Sequence, residues 1–293
     1  MSCFIDWVSI RQQHQVTDIV GKNVCIWLDP QNGDILTEGV GYLSHEGSFS
    51  TAVSIRAYNG LVEWSGNPSR WGRPDNVFGY SSLRDCLEKV INPHMAALGL
   101  PSFSFDSFTD SNTRRFQREG ASVGLVDNGA VLTRVDICRN VSAGSPNAMR
   151  AYLRAASAAV YRNKGPSSIH EGSVAWGQAR NSRIKFYDKG SELLAHTKRV
   201  QGEEAADHRD YRNKLAEWCY NNGVIRQEIT FGRQALNSAS LRTLADWSDN
   251  RAFSLFVERV DSMKVGCTAS LKDSLNQFLD AGYTTRQAAT LSG

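Results

Sequence analysis

Three short runs of this chain set polar residues two apart inside otherwise apolar, β-branched stretches. Arg134 and Asp136 stand this way in Val131 to Cys138 (VLTRVDIC), and Arg226 and Glu228 in Val224 to Phe231 (VIRQEITF). Lys185 and Tyr187 do so in Ser182 to Tyr187 (SRIKFY), with Lys189 two residues further on. Side chains two apart on a strand share a face. Arg134 and Asp136 therefore oppose Thr133, Val135 and Ile137; Lys185, Tyr187 and Lys189 oppose Ile184 and Phe186; Arg226 and Glu228 oppose Ile225, Gln227 and Ile229. If these strands are neighbours, one sheet face carries two carboxylates, two arginines, two lysines and a tyrosine. Two hard oxygen ligands suit Mg²⁺ or Mn²⁺. A tyrosine hydroxyl beside such a cation can attack phosphorus, and lysine and arginine can hold phosphate oxygens or the leaving group. That chemistry is covalent phosphoryl transfer on DNA or RNA. The same pattern is also the ordinary look of a half-solvated antiparallel strand with cross-strand ion pairs. Spacing by itself therefore stops at a candidate phosphate-handling sheet.

The elements that must position this set are strands in hairpins. Phe4 to Ile10 and Val24 to Leu28 have strand composition, the latter ending at the turn formers Asp29-Pro30-Gln31-Asn32-Gly33. Thr51 to Tyr58 and Leu61 to Ser65 flank Asn59-Gly60, the strongest short hairpin signal. Gly66 to Gly79 is a loop, and Ser82 to Leu98 has helical apolar spacing. In the second half, Pro146 to Tyr161 is a helix with Pro in its first turn. Gly172 to Trp176 and Ser182 to Tyr187 form a hairpin, and a helix from about Tyr211 to Tyr220 ends at Asn222-Gly223. After Phe231 only helical patterns remain: Ser240 to Trp247, Ala252 to Val260 and Leu271 to Ala281. Hairpins outnumber βαβ units, so the fold class is α+β, an antiparallel sheet with packed helices and two β-rich halves of similar layout. The expected organisation is an N-terminal β-rich lobe over 1–120, a sheet lobe carrying the candidate site over 121–233, and a helical C-terminal segment over 234–293.

Composition excludes other classes. With 293 residues, 41% hydrophobic and 22% charged, the chain is long enough for its own core and is neither collagenous, coiled-coil nor disordered. A net charge of +3 permits a nucleic-acid partner held in a local groove but not histone-like non-specific binding. Six cysteines without a CxxC pair suggest reduced thiols. No stretch approaches a membrane span and the start lacks a signal-peptide order, so a soluble, intracellular protein without a membrane partner is expected.

The runs LTRVDICRN (132–140), HEGSVAWG (170–177), RIKFYDKGSEL (183–193) and VIRQEITF (224–231), with NPSRWGRPDNVFG (67–79), resemble in order and spacing the replication initiators of filamentous bacteriophages. Rolling-circle plasmid initiators of the Rep_trans type are more distantly similar. The resemblance covers Phe4 to about Leu244. It implies an antiparallel sheet of the HUH-endonuclease or Rep-like type. The implied activity is a divalent-metal-dependent nick at the plus-strand origin, with the 5′ phosphate kept on a tyrosine and the displaced strand later rejoined. On this resemblance Tyr187 is the nucleophile, and Lys189 stabilises the scissile phosphate or protonates the leaving oxygen. Asp136 and Glu228 bind Mg²⁺ or Mn²⁺, with Arg134 and Arg226 orienting them or meeting phosphate and Lys185 alongside. Glu171 matches an acidic position of the family and His170 adds a nitrogen ligand; the bland alternative is a solvated hairpin. The His-hydrophobe-His pair of many rolling-circle nucleases is missing, so an acidic cation site is implied. Asp188 is expected as a surface carboxylate.

The implied partners are phage origin DNA, as duplex and single strand, with host helicase and polymerase in the cytoplasm of the bacterial host. Arg70 and Arg73, Arg114 and Arg115 are candidates for phosphate contact, and Trp71 for stacking on an exposed base, although a Trp tucked against the sheet edge is an equally common outcome. Two rival functions use the same residues: an origin-binding protein without catalysis, and a metal-dependent phosphoesterase using water.

Overall fold

A computed structural model describes residues 3–14, 18–105, 129–197, 205–248, 250–263 and 265. Its frame is a nine-stranded sheet, antiparallel at every pairing, in the order β4 (Leu43–Gly47), β5 (Thr51–Tyr58), β6 (Leu61–Gly66), β1 (Phe4–Gln13), β7 (Val131–Ser142), β11 (Val224–Gly232), β10 (Ser182–Asp188), β9 (Ser173–Gly177), β8 (Ser168–His170). A separate hairpin pairs β2 (Val24–Leu28) with β3 (Ile35–Val40). Asn59 and Gly60 both hold positive φ, 50° and 75°, so the turn between β5 and β6 is of the kind that dipeptide predicts.

One face of the sheet is apolar. Ile5, Val8 and Ile10 of β1, Val135 and Ile137 of β7, Ile225 and Ile229 of β11 and Ile184 and Phe186 of β10 are all buried in one core. Helices cover that face. α1 (Leu83–Cys86) runs through a π turn at Leu87–Ile91 into α2 (Asn92–Ala97), and α3 (Pro146–Ser157) starts at the Ser145 cap, which accepts from the Ala148 N–H at 3.2 Å. After β11 come α6 (Arg233–Ser238) and α7 (Arg251–Arg259), so the C-terminal segment is helical as far as it is described. The other face is polar and is flanked by the loop 67–80 and the pair α4 (Lys189–Thr197) and α5 (Ala205–Asn221), whose small apolar contact joins Val77, Leu193, Ala216, Cys219 and Val224.

Several expectations change. β3, β4, β8, α4 and α6 carry too few periodic residues to be read from sequence. Ser240 to Trp247 is not a helix: Thr243 bridges to Val131 and only a 3₁₀ turn follows at Leu244–Asp246. The expected helix over Leu271 to Ala281 and the pair Arg114 and Arg115 lie outside the described residues. β1 pairs directly with β7, so the two expected lobes share one continuous sheet. In each half the first strand lies centrally and the last strand beside it, but the helices differ in place: α1 and α2 follow the last strand of the first half, whereas in the second α3 follows the first strand, α4 and α5 stand between β10 and β11, and α6 and α7 follow β11. Among the described residues, no helix is long and apolar enough to cross a membrane. The five described cysteines are unbridged.

Candidate functional site

The three polar pairs do meet on adjacent strands. β11 lies between β7 and β10, and the register sets Cys138, Glu228 and Lys185 in one row across the sheet, with Asp136 opposite Thr230 and Tyr187 opposite Arg226. Alternation turns the apolar partners of these residues to the core and leaves the polar row on the opposite face.

A further acid joins them from β1. The pairing of β1 with β7 skips a residue between Ile5 and Trp7, a β-bulge that turns Asp6 toward the polar face. Oxygens of Asp6 and Glu228 and the sulfur of Cys138 lie within 4.8 Å of one another. Asp6 is gripped from behind by the Asn67 and Asn76 amides at 3.0 and 2.8 Å and by Arg226 at 3.5 Å, all on the same oxygen. Arg226 is fully buried, and it also donates to Asn140 at 3.0 Å and to the Asn76 carbonyl. Asp136, 3% exposed, takes both arms of the Arg134 fork, the Nε contact at 2.8 Å.

Electrostatically the carboxylates outnumber their cationic partners, Arg134 on Asp136 and Arg226 on Asp6. Burial first, then Asp136 and Asp6, push the Glu228 carboxyl up to about 7, and burial raises Asp136 despite its arginine. A divalent cation between these groups would favour their ionised forms. Two carboxylates suit Mg²⁺ or Mn²⁺, and Asp136 adds charge behind them. Burial raises the Cys138 thiol well above its usual range, so it enters as a neutral neighbour rather than a thiolate ligand.

Tyr187 donates its hydroxyl to Glu228 at 3.3 Å, and the Lys185 ammonium lies 4.4 Å from the centre of its ring. The side chain is 7% exposed, and burial drives its phenol well above 10. Tyrosine, carboxylate and ammonium thus form one contiguous group at the margin of the acidic cluster.

Other expected members stand elsewhere. Lys189 does not continue the strand face: it is the first residue of α4, has no exposed surface, and donates to Asn76 at 2.9 Å and Glu192 at 2.5 Å. Burial, reinforced by Arg226, lowers its pKa. Arg226 orients Asp6 rather than Glu228, and its burial removes it from any phosphate. Thr133 is the extra residue where the β1–β7 register shifts a second time, so it does not join Val135 and Ile137 in the core. Asp188 is no surface carboxylate: it accepts from the Ser191 N–H and hydroxyl at 3.1 and 2.5 Å and starts α4. His170 and Glu171 are exposed at the β8–β9 turn, outside the Asp6–Cys138–Glu228 group.

The loop 67–80 is a wall of the site. Besides Asn67 and Asn76, its buried Ser69 donates to the Ile5 carbonyl at 2.5 Å, beside Asp6, and its Val77 carbonyl accepts from Asn140 at 2.5 Å. Trp71 stacks on His94 at 4.5 Å between ring centres, so it is packed and not presented to a base. Arg70 donates to the Phe49 carbonyl at 2.8 Å, and Arg73 is half-buried in the adjacent turn. Sequence reasoning missed Asp6, Cys138, Asn67 and Asn76. The signal for Asp6 was present: apolar residues at 5, 8 and 10 break strict alternation, as a bulge does.

Residues 4–250 match the N-terminal region of the phage gene II replication-associated protein family. The replication-associated protein of this type from Escherichia phage If1 is 32% identical over 255 residues, covering 81% of this chain and 76% of that protein. The protein of the same name from Enterobacteria phage I2-2 is 23% identical over 280 residues, covering 92% and 74%. No solved structure matches the chain.

Proposed function

Since the chain belongs to the phage gene II replication-associated protein family, we propose that it initiates rolling-circle replication by nicking and rejoining origin DNA through Tyr187. The observation that carries this reading is the Tyr187 hydroxyl donating to Glu228 beside the Asp6–Asp136–Glu228 cluster.

In the forward step the Tyr187 oxygen attacks phosphorus and the bond to the 3′ oxygen breaks. The products are a 5′-phosphotyrosyl ester and a free 3′ hydroxyl. The phenol proton passes to Glu228, and the departing oxygen takes a proton from the solvent side, where Lys185 stands. Burial keeps the phenol protonated at rest, so its proton must leave during attack, which requires the adjacent carboxylate. Lys185 faces the charge that develops on the phosphate and the phenolic oxygen. Reversal by a 3′ hydroxyl closes the strand without ATP, because the phosphodiester energy is kept in the tyrosyl ester.

Asp6 and Glu228, with Asp136 behind them, would hold Mg²⁺ or Mn²⁺. Such an ion, when bound, supplies Lewis-acid polarisation of a phosphate oxygen. Arg226, Asn67 and Asn76 hold Asp6 for it, and Arg134 holds Asp136. Lys189 and Glu192 lock Asn76 in turn. Arg70 and Arg73 border this face and would contact the DNA backbone. The setting is the host cytoplasm, with host helicase and polymerase acting on the opened origin.

Incubation of the purified protein with Mg²⁺ and labelled oligonucleotides spanning candidate origins tests the reading. A protein band carrying the label of the 3′ fragment is expected, and it is lost in Tyr187→Phe. Cleavage without any adduct would favour hydrolysis by water, and binding of an authentic origin without cleavage would favour an origin-binding role.

A further inference from the structure

A cleft among the described residues lies on the helix-bearing side of the sheet, away from the acidic cluster. It has a volume of about 810 Å³ and opens between the β9–β10 turn, the turn after α3, and α6 with the end of α7. Its floor is apolar, formed by Trp176 and Phe231, whose side chains turn to the core face. Its walls are cationic: Arg162, Lys164 and Arg259 line it, and among the described residues no carboxylate does.

One polar atom there lacks a partner among the described residues. The Tyr161 hydroxyl is buried and makes no hydrogen bond, whereas the Arg259 Nε is paired with the exposed Glu258 carboxylate at 3.2 Å. A buried hydroxyl without a partner is costly, so a ligand acceptor that reached Tyr161 would be stabilised there. The backbone also holds the cations at the rim. Tyr161 and Lys164 exchange both backbone hydrogen bonds, at 2.8 and 3.0 Å, around Arg162 and Asn163 in the left-handed region at φ 50° and 61°. Opposite that turn stand the amides of Asn181 and Gln234, groups able to pair with the edge of a base.

We propose that this cleft binds a nucleoside monophosphate unit, its phosphate on Arg162, Lys164 and Arg259 and its base over the apolar floor against Asn181 and Gln234. The volume is that of a small-molecule site, and the cation-rich lining, without a carboxylate among the described residues, selects an anion. The unit is either a free nucleotide or one residue of a single strand. Because the cleft is on the opposite face from Tyr187, this site stands independently of the nicking chemistry.

The test uses the full chain in EDTA, so that the acidic cluster holds no cation. Equilibrium dialysis with labelled dTMP, competed by inorganic phosphate, is compared for the wild type, Tyr187→Phe, the double variant Arg162→Glu/Lys164→Glu, and Arg259→Ala, with thermal melts to show that each is folded. Saturable binding that Tyr187→Phe keeps and the double variant weakens by about tenfold or more is expected. In parallel, photocrosslinking of bromodeoxyuridine-substituted oligothymidylate separates the two sources. A crosslink in the peptide containing Tyr161 assigns a strand residue, and dTMP binding without that crosslink assigns a free nucleotide. Absence of both dTMP binding and that crosslink, or binding that the folded double variant and Arg259→Ala leave unchanged, overturns the proposal.

Discussion

At the scale of single residues the site is an acidic cluster short of positive charge. Asp6, Asp136 and Glu228 have, among the described residues, Arg134 and Arg226 as their cationic hydrogen-bonding partners, and burial raises both Asp136 and Glu228. A cation that binds the folded chain must therefore stabilise it. Saturating Mn²⁺ at 100 times its dissociation constant should add about 2.7 kcal/mol, seen as a rise in Tm. Asp6→Asn should abolish most of that rise and also lower the metal-free Tm, because the fully buried Arg226 guanidinium loses its carboxylate partner. A metal-induced rise that persists in Asp6→Asn would remove Asp6 from the ion. Arg226 supports the fold from the other side of its pair with Asp6. Its guanidinium is buried against Asp6, Asn140 and the Asn76 carbonyl, so Arg226→Met removes the cation from Asp6 and the donor from the other two acceptors and should cost about 3–5 kcal/mol in urea denaturation.

Elements carry these residues into register. The bulge in β1 is what turns Asp6 to the polar face, and the Asp188 cap is what turns the chain from β10 into α4 immediately after Tyr187. That turn sets Lys189 under Asn76, and Asn76 in turn supports Asp6. Asp188→Ala should therefore cost about 0.5–2 kcal/mol of stability, whereas Asp188→Asn, which caps nearly as well, should cost far less. Adduct formation by the two variants should follow the same order. Equal stability of the two would show that the cap does not hold α4. The strand pairs and the Asn59-Gly60 turn were legible in sequence because they depend on local rules of alternation and positive φ. Short elements such as β8, α4 and α6 were not, since three to nine residues carry too little periodicity.

At the scale of the whole molecule, the described residues are built on one nine-stranded sheet and a separate β2–β3 hairpin, with the acidic cluster and the α4–α5 pair on one face of the sheet and the remaining helices on the other. Its pH response has a component far from the acidic cluster. His94, near the end of α2, accepts from the Trp64 indole at 3.1 Å, meets His45 at 2.6 Å and lies against Trp71. Burial, then the neighbouring His45, lower its pKa from 6.5 to about 4. The unfolded chain takes up this proton near pH 6.5 while the folded chain refuses it until about 4, so stability falls as the pH drops through that window and levels off below it. The loss is at most about 3 kcal/mol. Between pH 7 and 4.5 the Tm of the wild type should fall more steeply than that of His94→Asn; parallel curves would show that His94 is not the group responsible.

What the amino-acid sequence determined by itself is strands such as β1, β5, β6, β7, β10 and β11, the Asn59-Gly60 hairpin and the polar residues at positions two apart, because side-chain alternation and turn chemistry act over a few residues. Only the tertiary structure decided which strands are neighbours, since β1 pairs with β7 across more than a hundred residues. That pairing brought in Asp6, and the β7–β11 pairing set Cys138 beside Glu228, neighbours that no local pattern links. It also decided access. Desolvation by the 67–80 loop and α4 turned Lys189 and Arg226 into buried supports, packed Trp71 on His94, and left Tyr187 with Lys185 and Glu228 at the edge of the acidic cluster.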